Sequence, residues 1–310
     1  MSLRVSVVIP TRNRMEKLRR ALAAVECQTF RDFDVWIVDD CSTDGTTELL
    51  RQGRLQEDYP DIPAMHVLFN GRPVGAAGAR NRALDRARGE MIAFLDDDDV
   101  WLPEYLARQV STLDRYPEAS ASYAACTEID EHGRQRRPDF RPLFEYDSPL
   151  LHLLTESFVH TLSVFVCRRR ALDRVGPLND RLLIVHDLDW YARLLMSGGT
   201  IVPVPGAAIV RHEIPGGLIA RHREWFEEEQ SVLSRVFRER RECAYREGHV
   251  RTHRALFFAR VGISRKDYSF AALRLLEAFR KDPVRCLQII FLRTLRNLRR
   301  EHPAAGIVGS

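Results

Sequence analysis

No stretch of the 310-residue chain approaches the ~20 consecutive apolar residues that cross a bilayer as a helix, so no membrane-spanning helix is expected. The amino terminus, MSLRVSVVIP, lacks the separate charged, apolar and small-residue regions of a secretory signal. A cytoplasmic location is the resulting expectation, with peripheral attachment at the inner face of the cell membrane as its variant. Cysteine is sparse: Cys27, Cys41, Cys126, Cys167, Cys243 and Cys286 are scattered, with no CxxC pair. They read as reduced, mostly buried thiols rather than a disulfide framework or a zinc site. The dinucleotide-binding GxGxxG fingerprint is missing, since Gly75 and Gly78 have the wrong spacing and follow no strand. A Walker-type phosphate loop, internal repeats and low-complexity tracts are absent as well. Trp and Tyr are few near the carboxyl terminus, and the Arg residues there are interleaved with Glu, which argues against nucleic-acid binding.

Hydrophobic residues at 45% and charged residues at 29% are ordinary for a globular protein. The length allows one large α/β domain with an appendage, or two modest domains. Charge is divided unevenly: residues 1–210 hold 26 Lys+Arg against 31 Asp+Glu, while residues 211–310 hold 21 against 12. An acidic amino-terminal part joined to a basic tail suggests two roles.

Through the first hundred residues strands alternate with helices. Val5 to Ile9 is a β-branched run ending at Pro10, the pattern of a strand buried on both faces. Thr11, Arg12 and Asn13 then read as a loop and helix start, followed by Met15, Leu18, Leu22 and Val25 at helical spacing. Asp34 to Val38 is a second strand closed by Asp39-Asp40, with a turn at Ser42-Thr43-Asp44-Gly45 and a helix from Thr46. Met65 to Phe69 is a third strand, Asn70 to Gly78 a loop and Ala79 to Arg88 a helix. Met91 to Leu95 is a fourth strand that runs into Asp96-Asp97-Asp98-Asp99. Such alternation predicts crossover units, a mostly parallel sheet flanked by helices, and a ligand crevice beyond the carboxyl ends of the strands. Three polar clusters, Pro10–Asn13, Asp39–Asp40 and Asp96–Asp99, fall at such ends. Further on, Ser120–Cys126 and Ser163–Cys167 read as strands and Glu131–Arg134 as a hairpin turn. Asp187–Met196 reads as a helix stopped by Ser197-Gly198-Gly199, and Ile201–Val204 and Ala207–Val210 as short strands. From about Arg221 the chain is helix after helix.

Four successive aspartates repel one another, and a hard divalent cation with a preference for oxygen ligands relieves that repulsion. Helix capping would employ one of them, not four. Asp39-Asp40 can accept hydrogen bonds from a base or ribose, or simply lead into the turn. Thr11, Arg12 and Asn13, and likewise Arg80 and Asn81, can hold phosphate at helix starts. Asp187 and Asp189 open a helix as caps or as a general base. His212 follows a strand as a metal ligand or a structural histidine.

Together these segments resemble inverting glycosyltransferase family 2, which has the GT-A fold. The matching pieces, in the family's order, are VSVVIPTRNR, QTFRDFDVWIVDDCSTDGT, GAAGARNRALDRARGEMIAFLDDDDVWLP and HDLDWYARLLMSGG, over about residues 3–215. The resemblance implies a GT-A domain over residues 1–220, with its nucleotide-sugar half at about 1–115, its acceptor half at about 116–220, and a basic helical region over 221–310. It implies that Pro10, Thr11, Asn13 and Asp40 surround the nucleotide, with Arg12, Arg80 and Asn81 counted alongside them. Asp96 and Asp98 match the two aspartates of the family's DxD motif. Asp96, helped by Asp97, would then sit toward the ribose and metal waters, Asp98 would contact Mn²⁺ or Mg²⁺ with His212 near the metal and diphosphate, and Asp187 would be the catalytic base. A nucleoside-diphosphate sugar, UDP-linked first with dTDP and GDP carriers open, would donate to a hydroxyl on a glycan, lipid-linked glycan or small molecule. His186 departs from the Glu that commonly precedes the base, and Cys41 from a Gly or Asn. A catalytically silent sugar-nucleotide scaffold is the alternative. A nucleotidyltransferase is disfavoured because PTRNR has no Gly. In the last helix Val284, Leu287, Phe291, Leu295 and Leu298 line one face among Arg285, Arg293, Arg296, Arg299 and Arg300. That helix suits anionic lipid, packing on the catalytic domain, or a homodimer contact.

Overall fold

The computed structural model describes residues 3–129, 135–136, 148–156, 159, 161–212 and 218–289. Its first part runs β1 (Val5–Thr11), α1 (Met15–Glu26), β2 (Phe33–Asp39), α2 (Thr46–Arg51), α3 (Leu55–Asp58), β3 (Met65–Phe69), α4 (Gly75–Leu84), β4 (Met91–Phe94), β5 (Asp99–Trp101) and α5 (Tyr105–Arg115). There follow β6 (Ala121–Ile129), β7 (Gln135–Arg136), α6 (Pro149–Glu156), β8 (Phe165–Arg168), α7 (Arg169–Val175), α8 (His186–Met196) and β9 (Ile201–His212), then α9 (His222–Glu239), α10 (Glu247–Ser264) and α11 (Tyr268–Lys281). The chain divides into two compact units, Met1–Leu153 with Ser157–Gly217 and Leu154–Glu156 with Leu218–Ser310.

One sheet takes the order β3-β2-β1-β4-β8-β6-β9-β5, with β7 paired to β6. From β3 to β4 all neighbours are parallel. Beyond β4 the sheet is mixed: β8 is antiparallel to β4 and β6, β6 is parallel to β9, and β5 is antiparallel to β9. Every residue of β1 and β4 is buried, as their unbroken apolar runs require of strands covered on both faces. In α1 the residues Met15, Leu18, Leu22 and Val25 are buried, the helical stripe facing the sheet. Because β2, β1 and β4 are parallel neighbours, their carboxyl ends lie at one edge.

Several boundaries differ from the sequence expectation. β1 continues through Pro10 to Thr11. Its Val8 carbonyl accepts from Leu95 on the β4 side, and its Thr11 carbonyl accepts from Asp40 on the β2 side. Pro10 therefore turns its nitrogen toward β4, beyond the last pair Val8↔Phe94, where no ladder bond is lost. Helix α1 starts only at Met15, so Thr11, Arg12 and Asn13 are not its first turn. Helix α4 starts at Gly75, inside the expected loop, because the Asp40 carboxylate accepts from the Val74 and Gly75 backbone N–H groups at 2.9 Å each. The residue just past β2 thus supplies the cap that the local sequence lacks. Gly78 lies within this helix, and a Cβ there would sit 2.8 Å from that of Val74. The two short strands expected before residue 212 are one strand, β9, with an irregularity where Val204 pairs with Ala124 and Ala208 with Ala125. Gly206, at φ 72°, occupies this bulge. Strand β5 lies outside the sequence expectation; it begins at Asp99, the last residue of the acidic run.

The hairpin turn expected at Glu131–Arg134 lies outside the described residues, although its flanks pair antiparallel, Ile129 with Gln135. Phe291, Leu295 and Leu298 lie outside them too; residues 283–289 are helical. The second unit is built on an aromatic cluster in which Phe258 meets Trp225 and Phe226 edge to face at 5.2 and 5.1 Å. It also buries the Arg254–Glu229 ion pair, with Arg254 Nε donating at 2.6 Å. All six cysteines are free; Cys126, Cys167 and Cys286 are buried, whereas Cys27 is exposed, so burial covers half of them. Among the described residues no helix is long and apolar enough to cross a membrane.

Candidate active site

At the shared carboxyl edge, Thr11 at the end of β1 donates its hydroxyl proton to Asp97 Oδ2 at 2.7 Å. Arg14, just before α1, reaches Asp97 at 3.1 Å and Asp98 at 2.8 Å, and Lys17 lies 4.0 Å from Asp98. Burial pushes the Asp97 carboxyl up to about 6, against the pull of Thr11 and Arg14. Asp98 is raised by burial and by the Asp96 charge. Asp99 is raised well above its ordinary range by the same two causes, and its Oδ2 is buried with no hydrogen-bond partner. Asp96 alone is held low. Burial would raise it, but the Arg80 guanidinium, bonded to its Oδ1, more than offsets this with help from Arg211 and His186. Thr161 Oγ1 donates to the other oxygen at 3.2 Å, and the Asp96 N–H donates to Ser163 Oγ at 2.9 Å.

Carboxylate oxygens of Asp96, Asp98 and Asp99 lie within 4.8 Å of one another. An all-oxygen set containing an orphaned buried carboxylate oxygen fits a hard divalent cation such as Mg²⁺ or Mn²⁺. The sequence points to a cation at the whole run Asp96–Asp99, whereas the family resemblance singles out Asp98 and His212 and leaves Asp99 unassigned. The His212 backbone ends β9 opposite Ile129, and its side chain lies outside the described residues.

The other candidates separate. Asp40 is taken up by Asn70 Nδ2 at 2.7 Å and by the α4 amino terminus. Asn13, at φ 56°, ties the loop after β1 to the loop after β2: its N–H donates to Ser42 Oγ at 2.8 Å, and its Oδ1 accepts from Thr43 N–H at 2.6 Å. Arg12 is exposed. Arg80 and Asn81 are not at a helix start, since α4 begins five residues before Arg80. Asn81 exchanges two bonds of 2.9 Å with the Leu178 backbone. Arg80 is buried and spans the site, giving one amino group to Asp96 and the other to His186 Nε2 at 2.8 Å. Burial, then the neighbouring Arg80, pushes His186 down to about 3, so it stays neutral and accepts the guanidinium proton.

His186 opens α8, and Asp187 follows it. Burial pushes the Asp187 carboxyl up to about 6; the Leu188 backbone N–H and Arg80 oppose the rise, and Asp96 adds to it. Its Oδ1 accepts from Leu188 N–H at 2.7 Å. Asp189 instead pairs along the helix with Arg193 at 2.8 Å. Arg14, Lys17 and Arg211 were missed in the sequence. Arg14 and Lys17 are visible only as basic residues of TRNRMEK, and Arg211 carried no signal until β9 set it opposite Asp99.

Residues 6–176 match the sequence profile described as Glycosyl transferase family 2. The chain belongs to this family. Glycosyltransferase AglE of Haloferax volcanii is 30% identical over 205 residues, covering 63% of this chain and 62% of that protein. The GalNAc(5)-diNAcBac-PP-undecaprenol beta-1,3-glucosyltransferase of Campylobacter jejuni is 36% identical over 121 residues, covering 39% of this chain and 36% of that protein. Such alignments span only 33% to 62% of the relatives' own length. Among solved structures, the mannosyltransferase PcManGT of Pyrobaculum calidifontis, in complex with GDP-Man and Mn²⁺, superposes with TM-score 0.64 at 22% identity, covering 98% of this chain and 82% of that one. S. aureus TarS 1-349 in complex with UDP-GlcNAc superposes with TM-score 0.62 at 21% identity, covering 90% and 81%. These likenesses establish a GT-A family fold for this chain.

Proposed function

We propose that this family 2 chain transfers a sugar from a nucleoside-diphosphate donor to an acceptor hydroxyl with inversion, in residues 1–220, Asp187 being the base. One observation carries the reading: buried Arg80 joins Asp96 of the acidic run to His186, the residue before Asp187. A cation-and-diphosphate site and a carboxylate of raised proton affinity are thereby held together. Asp187 takes the proton from the attacking hydroxyl, on the sugar face opposite the leaving group. Arg80 fixes the spacing between that base and the donor. Arg14 and Lys17 bring positive charge to the edge where the diphosphate leaves. Asp96, Asp98 and Asp99 would hold the divalent ion, which when bound supplies neutralising charge for the diphosphate.

A UDP-linked donor is favoured by the family resemblance, with GDP and dTDP carriers to be compared. A lipid-linked glycan acceptor is in keeping with the name of the Campylobacter relative. The test is thermal unfolding with UDP, GDP and dTDP, each with and without Mn²⁺. A ligand at 100 times its dissociation constant adds ~2.7 kcal/mol of stability. One diphosphate should stabilise the chain in a Mn²⁺-dependent way, and Asp98→Asn should remove the Mn²⁺ dependence. No stabilisation by any diphosphate would overturn the proposal.

A further inference from the structure

The second unit carries an exposed apolar surface that the transfer chemistry does not use. Of the 13 large hydrophobic side chains that stand exposed among the described residues, eight fall between Ile263 and Leu287. Helix α11 turns Phe270, Ala271 and Ala278 inward. A surface helix normally presents polar groups on the other side. Here that side presents Leu273, Leu276 and Phe279, at 54%, 45% and 49% exposure. Val284 and Leu287 continue the apolar exposure at 65% and 59% in the turn of helix that follows. Patches of this kind on a protein surface mark interaction sites.

Charge decides what the patch meets. The acidic residues of the segment are used within the unit. Asp267 accepts from Arg223 Nε at 2.7 Å and from the Phe270 backbone N–H at 3.2 Å, Glu277 pairs with Arg274 at 2.8 Å, and Asp282 accepts from the Arg285 backbone N–H at 2.8 Å. The exposed rim at the carboxyl end of α11 is Arg280 and Lys281, and Arg265 and Lys266 are exposed before its start. The sequence just after, residues 290–300, adds Arg293, Arg296, Arg299 and Arg300 without an acidic residue. A second copy meeting this surface across a two-fold axis would set basic rim against basic rim, which disfavours a dimer.

We propose that the apolar face of α11 and the turn after it, rimmed by Arg280 and Lys281, docks on an anionic lipid surface. The apolar side chains enter the headgroup boundary while the basic rim meets lipid phosphates. The mode is lying on the bilayer, not crossing it. This docking does not depend on the transfer reading and is measured without donor or acceptor.

Full-length protein is sedimented with vesicles of phosphatidylcholine alone and of phosphatidylcholine mixed with phosphatidylglycerol. Wild type should pellet with the anionic vesicles, much less with the neutral ones, and come off in high salt. Two double variants at exposed positions separate the forces. Leu276→Asp with Phe279→Asp should abolish pelleting. Arg280→Glu with Lys281→Glu should weaken it at least roughly 25-fold, since each basic residue at an anionic surface is worth roughly fivefold in partitioning. Retention of native circular dichroism shows that the variants are folded. The proposal is overturned if wild type stays in the supernatant with anionic vesicles, or if both variants pellet like wild type. It is equally overturned if wild type is a dimer that Leu276→Asp with Phe279→Asp splits while vesicles bind neither form.

Discussion

Replacing Asp187 with Asn tests the proposed chemistry most directly, and the structure sets the size of each effect. Burial lifts the Asp187 carboxyl from an ordinary 3.8 to about 6. The rate should follow the ionised fraction, so acceptor-dependent release of nucleoside diphosphate should be near its plateau above about pH 7 and fall about tenfold by about pH 5. Asp187→Asn removes the base and should cost about 10²–10⁴-fold at the plateau. It should also erase the acidic limb, leaving a residual rate that is flat through pH 6. The stability consequence has the opposite sign. A carboxyl whose folded value lies above its ordinary one contributes stability that is present below pH 3.8 and lost as the pH rises through about 6. At neutral pH the wild type therefore carries an unfavourable, partly buried charge, and the Asn variant should be more stable by about 1–3 kcal/mol in chemical denaturation. Thermal shift by the diphosphate should be unchanged. Wild-type turnover in the variant would refute the assignment. So would an acidic limb near pH 6 that survives it, because the limb would then belong to another carboxyl such as Asp97, which burial also lifts to about 6.

Two further substitutions probe the frame around the site. Arg80→Ala leaves the partly buried Asp96 without its main counter-charge and should cost about 1–3 kcal/mol in denaturant titration; an unchanged midpoint would mean that the Arg80 bridge contributes little. Gly89→Ala would bring a Cβ to 2.5 Å from the Ser6 backbone nitrogen and 2.8 Å from the Met91 carbonyl, both main-chain atoms of the central sheet. A loss of about 1–3 kcal/mol is expected, read as a lowered melting temperature.

The sequence alone determined the alternation of strands and helices and the presence of polar residues at the ends of β1, β2 and β4. These properties are local: side-chain periodicity and β-branched runs report burial whatever the chain does elsewhere. It also sufficed for the acidic run, because four adjacent aspartates need a cation or its equivalent in any fold. Only the tertiary structure decided which groups answer them. Arg80 meets His186 across 106 positions, and Thr11 meets Asp97 across 86. No period or motif encodes such distances. The same reason explains the shifted boundaries. Helix α4 starts at Gly75 because Asp40, in the loop just past β2, accepts its free N–H groups, and the acidic run turns into β5 because β9 lies beside it. Backbone donors and buried charges must find partners, and the partner is whatever the completed sheet brings within reach.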